Sequence, residues 1–212
     1  MEKKLLMIVN PVAGTKRLRP LLLDVISIFS AGGFATTVMV TGRRGDAAEF
    51  AARGGEFDRI VCCGGDGTLN ETISGMLDAG VTIPLGYIPC GSTNDFASSM
   101  GIPTDIKKAA HAIADGLPLP LDIGKFGDSY FTYIASFGAF TATSYSVPQD
   151  MKNVLGHAAY VFEGIKDLAS IKPYHVKLAA DDRTLEDDYV FGAIANSKSF
   201  GGIVKLKDEL VS

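Results

Sequence analysis

The segment Gly64-Gly65-Asp66-Gly67-Thr68-Leu69-Asn70-Glu71 sets three glycines around one aspartate, directly after a short apolar run. Glycine is costly in conformational entropy unless the backbone needs positive φ or close contact. The amides of such a turn form an anion-binding nest. An aspartate in that nest opposes a bare phosphate, but it fits when a magnesium ion sits between carboxylate and phosphate. Glu71 falls in the first turn of the helix expected next, where it complements the dipole. A capping turn with Asp66 or Thr68 as the cap is the plainer alternative, yet a plain cap does not need three glycines.

Two further loops carry glycine and polar residues. Asn10-Pro11-Val12-Ala13-Gly14-Thr15-Lys16 follows one apolar run and precedes a helical stripe. There a glycine lets the backbone approach phosphate and the helix N-terminus favours an anion, although ordinary strand-to-helix turns look similar. Gly91-Ser92-Thr93-Asn94-Asp95-Phe96-Ala97 is rich in good N-caps, so it reads equally as a helix start. None of the three is a Walker A loop, because Gly-Lys-Ser/Thr is missing, and the first strand lacks GxGxxG. The chemistry is that of a nucleoside triphosphate held by several glycine loops with a carboxylate-anchored metal.

These loops need a scaffold that brings them together. Residues 4–9, Phe34 to Thr41, Arg59 to Cys63 and Pro84 to Ile88 read as strands. Stripes at Leu18–Phe29, Asp46–Arg53, Leu69–Leu77, Asn94–Met100 and Ile106–Ile113 read as helices. Alternation of this kind predicts a doubly wound parallel sheet with helices on both faces. In such sheets ligands collect beyond the carboxyl ends of the strands, where all three loops fall. Beyond residue 115 the texture changes. Leu117–Lys125, Tyr130–Phe137, Tyr174–Ala180 and Tyr189–Ala195 read as strands around one helical stripe, Val154 to Leu168. The expected organisation is an α/β domain over 1–122 and a β-rich domain over 123–212, the latter an incomplete antiparallel β-sandwich. Phe126, Tyr130, Phe131, Tyr133, Phe137 and Phe140 are expected in its core.

Composition narrows the class. The 212 residues are 47% hydrophobic and 21% charged with a net charge of −4, which is globular and argues against general nucleic-acid binding. Three cysteines, two of them adjacent, make no disulfide framework and point to the cytosol. Cys62 and Cys63 read as buried small residues, and Cys90, beside the third loop, as a thiol that could be reactive. No apolar run reaches the roughly 18 residues a membrane span needs.

Taken together, Asn10 to Gly14, Gly64 to Glu71 and Gly91 to Ala97 resemble the diacylglycerol kinase catalytic domain, in its soluble bacterial lipid kinase branch, with the motifs in the family's order and spacing. The Gly-Gly-Asp-Gly-Thr segment alone is shared with NAD kinases and phosphofructokinases, whose first domain has the same expected fold. The resemblance implies ATP and Mg2+ as cofactors. It implies γ-phosphate transfer from ATP to a lipid hydroxyl such as that of diacylglycerol. Asn10, Pro11, Val12, Ala13, Gly14 and Thr41 would hold ATP, while Gly64, Gly65, Asp66, Gly67, Thr68, Leu69, Asn70 and Glu71 would cradle the phosphates with Thr93 nearby. Asp66, Asp95 and Asp122 match acidic positions of a magnesium and water network. Lys205, Asp208 and Leu210 match a structural magnesium loop, where a solvated charged turn is the plainer alternative. The family's general base lies in an Asp-Gly segment past position 212, so a C-terminally truncated chain is expected, with reduced transfer.

The resemblance also implies a cytoplasmic enzyme at the inner membrane face. Lys3, Lys4, Arg17, Arg19, Arg43, Arg44, Lys107 and Lys108 would be drawn to anionic lipid, at about 1 kcal/mol each near the surface, if they are more than solvated faces. An unfinished sheet would favour a homodimer. An NAD kinase-like enzyme and a nucleotide-binding module without catalysis remain the alternatives.

Overall fold

Strand β1 (Lys3–Val9) divides its side chains between two cores. Leu5, Met7 and Val9 belong to one, Leu6 and Ile8 to the other, as the period-two direction of strand side chains requires. All five are buried, the pattern of a strand covered on both faces. β2 (Phe34–Val40) and β3 (Arg59–Gly64) pair in parallel with β1 on either side, and β4 (Leu85–Pro89) pairs in parallel with β3. The order is therefore β2-β1-β3-β4. The computed structural model describes residues 2–14, 16–138, 172–180, 183–196, 199–200 and 204–205.

Five helices clothe this sheet among the described residues. α1 (Leu22–Ala31), entered through a 3-10 turn at Arg19–Leu21, and α5 (Ile106–Asp115) cover one face with Val25, Phe29, Ile106, Ala109 and Ala110. The Asp105 side chain caps α5 by accepting from the Lys108 amide at 2.9 Å. α2 (Asp46–Ala51) and α3 (Asp66–Asp78) cover the other face with Ala47, Ala51 and Met76. Further along that face, Leu69 and Ile73 of α3 meet Cys62, Tyr87 and the Phe96 and Ala97 side chains of α4 (Asp95–Met100). The helices on both faces and the parallel sheet match the sequence expectation.

The later part departs from it in detail. Leu117–Lys125 alternates apolar residues with Pro118 and Pro120, which have no amide for a ladder; only β5 (Gly124–Phe126) is strand. Tyr130–Phe137 splits into β6 (Ser129–Phe131), paired with β5 as a hairpin, and β7 (Ile134–Gly138). β8 (Tyr174–Ala180) pairs antiparallel with β9 (Arg183–Tyr189), β10 (Phe191–Ala195) with β7, and β11 (Ser199–Phe200) with β12 (Val204–Lys205). The helical stripe Val154–Leu168 and Phe140 lie outside the described residues.

The chain forms two compact units, Met1–Tyr133 with Asn196–Ser212, and Ile134–Ala195. The first holds the parallel sheet, and in it β6 packs against α3. The second holds the β7–β10 and β8–β9 ladders, where Phe137 meets Tyr174 edge-on at 6.0 Å. The expected aromatic core is not fully buried: Phe126 is 55% exposed, and Tyr130, Phe131, Tyr133 and Phe137 are half-buried. Among the described residues β5 and β6 form a two-stranded ladder.

α2 and α3 approach through their backbones. A Cβ on Gly75 would lie 2.2 Å from the Ala48 carbonyl oxygen. Gly75→Ala is therefore expected to destabilise the protein by about 1–3 kcal/mol through overpacking, against a helix-propensity gain of about 1 kcal/mol. Urea unfolding followed by circular dichroism measures the difference.

Candidate functional site

The crossover from β2 to β3 passes over β1, so the strand order reverses between β1 and β3. That reversal opens a crevice at the carboxyl ends of the two strands. The loop after β1 bridges it. The Asn10 amide donates to the Cys63 carbonyl at 2.9 Å. The Asn10 Nδ2 donates to Thr68 Oγ1 at 3.0 Å, and its Oδ1 accepts from the Val12 amide at 3.1 Å. Gly14 sits at φ +51°, and a Cβ there would lie 2.5 Å from the Cys90 carbonyl oxygen, so the first loop rests on the start of the third. No larger residue fits that contact or that φ without strain.

The second and third loops are joined more tightly. The Cys90 amide donates to the Gly64 carbonyl at 2.7 Å. Gly65 and Gly91 meet backbone to backbone, since a Cβ on Gly91 would lie 2.6 Å from the Gly65 Cα. The Asp66 carboxylate then accepts two consecutive amides at the start of α4, from Asp95 at 3.1 Å and Phe96 at 3.2 Å. α4 is thus capped from another element, and no side chain caps the N-terminus of α3. The three loops predicted to share one rim do share it. The turn after β2 joins them: Thr41 donates its amide to Val9 at 2.9 Å and Gly45 donates to Glu71 Oε2 at 3.0 Å. Glu71 lies beyond the first turn of α3, which begins at Asp66, and serves that loop rather than the helix end.

The charges are unbalanced. Burial, and then the negative charge of Asp66, push the Asp95 carboxyl above its ordinary pKa. Asp46 goes the other way, because the Gly42 and Arg43 amides, at 2.7 and 2.9 Å, hold its carboxylate ionised. Cys90 is buried and its thiol is pushed up to about 11 by that burial, so the reactive thiol expected beside the third loop is a packed, protonated one. Cys62 is likewise raised to about 12.

A metal fits this site in one particular way. Among the described residues no three His, Cys, Asp or Glu side chains gather into a metal site, so no protein cage is present. Two repelling carboxylates beside a helix N-terminus instead suit magnesium, which binds through one or two carboxylates plus substrate phosphates and keeps its waters. Asp66 and Asp95 meet that description. Asp122 is exposed; its carbonyl accepts from Asn196 Nδ2, and its carboxylate makes no hydrogen bond or ion pair among the described residues.

The other predicted residues divide by role. Leu69 is buried in the core and offers only its backbone. Thr68 is buried against Gly64 and bound to Asn10. Gly67 has open space where a Cβ would sit. Pro11, Ala13 and Asn70 are half-buried, and Val12 and Thr93 are exposed. Asp208 and Leu210 lie outside the described residues, as does the side chain of Lys205. The sequence reading missed Asp46, which closes the turn after β2, and gave Asn94 no task beyond a possible cap. An aspartate right after a glycine turn, Gly45-Asp46, was the available signal for the first.

Comparison with known proteins gives the family and the fold. The model of the diacylglycerol kinase catalytic domain matches residues 4–126. A diacylglycerol kinase of Bacillus subtilis is 36% identical over 207 residues, spanning 96% of this chain and 68% of that protein. One of Staphylococcus saprophyticus is 34% identical, spanning 97% of this chain and 68% of that protein. A crystal structure of a diacylglycerol kinase from Bacillus anthracis superposes with a TM-score of 0.76 at 28% identity, covering 97% of this chain and 70% of that one.

The charge imbalance is measurable. In Asp66→Asn, the Asp95 carboxyl is expected to titrate at lower pH than in the unaltered protein, yet still above its ordinary value because burial persists. A pKa raised by folding means that ionised Asp95 opposes the fold at high pH, and that this penalty fades as pH falls through the folded value. Carboxyl 13C NMR titration checks the shift.

Proposed function

Since this chain belongs to the diacylglycerol kinase catalytic domain family and is an ATP-dependent lipid kinase, we propose that the rim of its three glycine loops is where the γ-phosphate of ATP passes to the free hydroxyl of a lipid such as diacylglycerol. The observation that carries the proposal is the Asp66 clasp on the amides of Asp95 and Phe96. It gathers the second and third loops beside the first, and leaves a carboxylate pair at the crevice.

Phosphoryl transfer depends on positioning and on neutralising charge, and ATP with magnesium supplies the phosphoryl group and the neutralising cation when bound. This chain's residues would bind and position them. Asn10 to Gly14 would line the nucleotide on the β1 side, with Thr41 beside them. The uncapped N-terminus of α3, at Gly65 to Thr68, would donate amides to phosphate oxygens. Gly67 presents no side chain there, so backbone and phosphate can approach closely. Asp66 and Asp95 would hold the cation, whereas Asp122 is exposed and is not gathered with them. Glu71 would keep the turn after β2 in register with α3 through Gly45.

A lipid acceptor brings the enzyme to a membrane surface, and the free cysteines suit its cytoplasmic side. Arg43 already pairs with Asp46 and Glu49, and Lys107 with Asp24. Attraction to anionic lipid therefore rests on the remaining basic residues named from the sequence.

Transfer of radiolabel from γ-labelled ATP to diacylglycerol in mixed micelles tests the proposal, with a sphingoid base and NAD as competing acceptors. Labelled diacylglycerol is expected, and Asp66→Asn is expected to lower turnover about 100-fold or more, the scale of losing one preorganised electrostatic group. Label recovered in NAD, or ATP bound with no labelled lipid, would overturn it.

A further inference from the structure

We infer that Asn94 is a positioning residue for phosphoryl transfer: its carboxamide, closed on the backbone of Gly91, sets the turn that holds the Asp95 and Phe96 amides on Asp66 and so fixes the orientation of that carboxylate. The reaction named here rests on the proposed function; the clasp itself does not.

Asn94 is 6% exposed and lies in the left-handed region at φ 53°, ψ 50°. It shares positive φ with only one other non-glycine residue among those described, Lys16. Asparagine tolerates that region better than other side-chain-bearing residues. A left-handed residue followed by a right-handed helical one turns successive amides toward one point and makes a nest for an anion. Here the anion is the protein's own Asp66 carboxylate, at 3.1 and 3.2 Å from the next two amides.

The side chain locks that turn from the inside. Asn94 Oδ1 accepts from the Gly91 amide at 2.8 Å, and Nδ2 donates to the Gly91 carbonyl at 2.9 Å. The Tyr87 hydroxyl lies 3.4 Å from the same Oδ1. A carboxamide carries an acceptor oxygen and a donor nitrogen side by side, so it serves both backbone groups of one residue at once. An aspartate here would accept only, and would bury a third carboxylate beside Asp66 and Asp95. Gly91 is pressed between Asn94 and Gly65, since a Cβ on it would lie 2.8 Å from Asn94 Oδ1 and 2.6 Å from the Gly65 Cα. Asn94 therefore holds both sides of the joint, the backbone just before Asp66 and the amides in front of its carboxylate. Its burial and its hydrogen bonds keep it off the substrate, so it acts through Asp66.

Asn94→Gly separates the side chain from the backbone turn, because glycine adopts the same φ freely. Three readouts apply: the amide resonances of Asp95 and Phe96, the affinity for magnesium-ATP by calorimetry, and turnover. The two resonances are expected to move toward their positions in Asp66→Asn. Magnesium-ATP affinity is expected to fall about tenfold, and kcat to fall at least as much with KM for diacylglycerol unchanged. Asn94→Asp is expected not to rescue any of the three. If Asn94→Gly keeps both resonances and the nucleotide affinity of the unaltered protein, the inference is overturned. If the unaltered protein phosphorylates no lipid, the proposed function falls, and the resonances and nucleotide affinity still decide the role of Asn94. If Asn94→Gly does not fold, Tyr87→Phe replaces it, with a smaller displacement of the same two resonances expected; unmoved resonances would overturn the inference.

Discussion

One carboxylate holding two consecutive amides, 29 and 30 residues further along the chain, organises the whole rim. Hydrogen bonds to an ionised acceptor are roughly twice as strong as neutral ones, and these two join the turn after β3 to the helix after β4. Around them the backbone is drawn in so closely that Gly65 and Gly91 touch without side chains. The first loop then settles against both, through Asn10 on Thr68 and Gly14 on Cys90. Without that carboxylate the second and third loops would keep only their backbone contacts, Cys90 on Gly64 and Gly65 against Gly91.

The same arrangement explains why an acidic residue sits in a glycine nest. The nest that Asn94 opens attracts an anion, and Asp66 fills that demand from within the protein. Burial first, and then the charge of Asp66, raise the pKa of its neighbour Asp95. Under the proposed function, a site this negative would take a phosphate that arrives with a cation in preference to a bare one.

Much of this was legible in the sequence, for identifiable reasons. β1 is buried on both faces, so its apolar run reads as a central strand without further information. The turn from Gly64 to Gly67 announces itself because no packed strand or helix tolerates three glycines around one aspartate. Where the reading failed, the deciding partner was distant. Leu117-Pro118-Leu119-Pro120-Leu121 imitates a strand's alternation, but proline cannot join a ladder. The alternative role for Asp66, a cap on the helix it begins, is not the one it takes: it caps another helix. Asn94 looked like one polar residue among several in a capping run, and only the folded chain shows its amide turned inward on Gly91. The glycines read as room for phosphate: Gly67 has that room, while Gly14, Gly65 and Gly91 are filled by neighbouring backbone.

α4 spans only Asp95–Met100, with left-handed residues at both ends, Asn94 and Gly101. A helix of so few residues does not persist by itself in water, because nucleation outweighs what one or two turns return. Its first amides find their acceptor on α3, which must already be docked on β3. The third wall of the rim therefore has no standing of its own: it is held by the Asp66 carboxylate at its start and by the burial of Phe96 and Ala97 against α3.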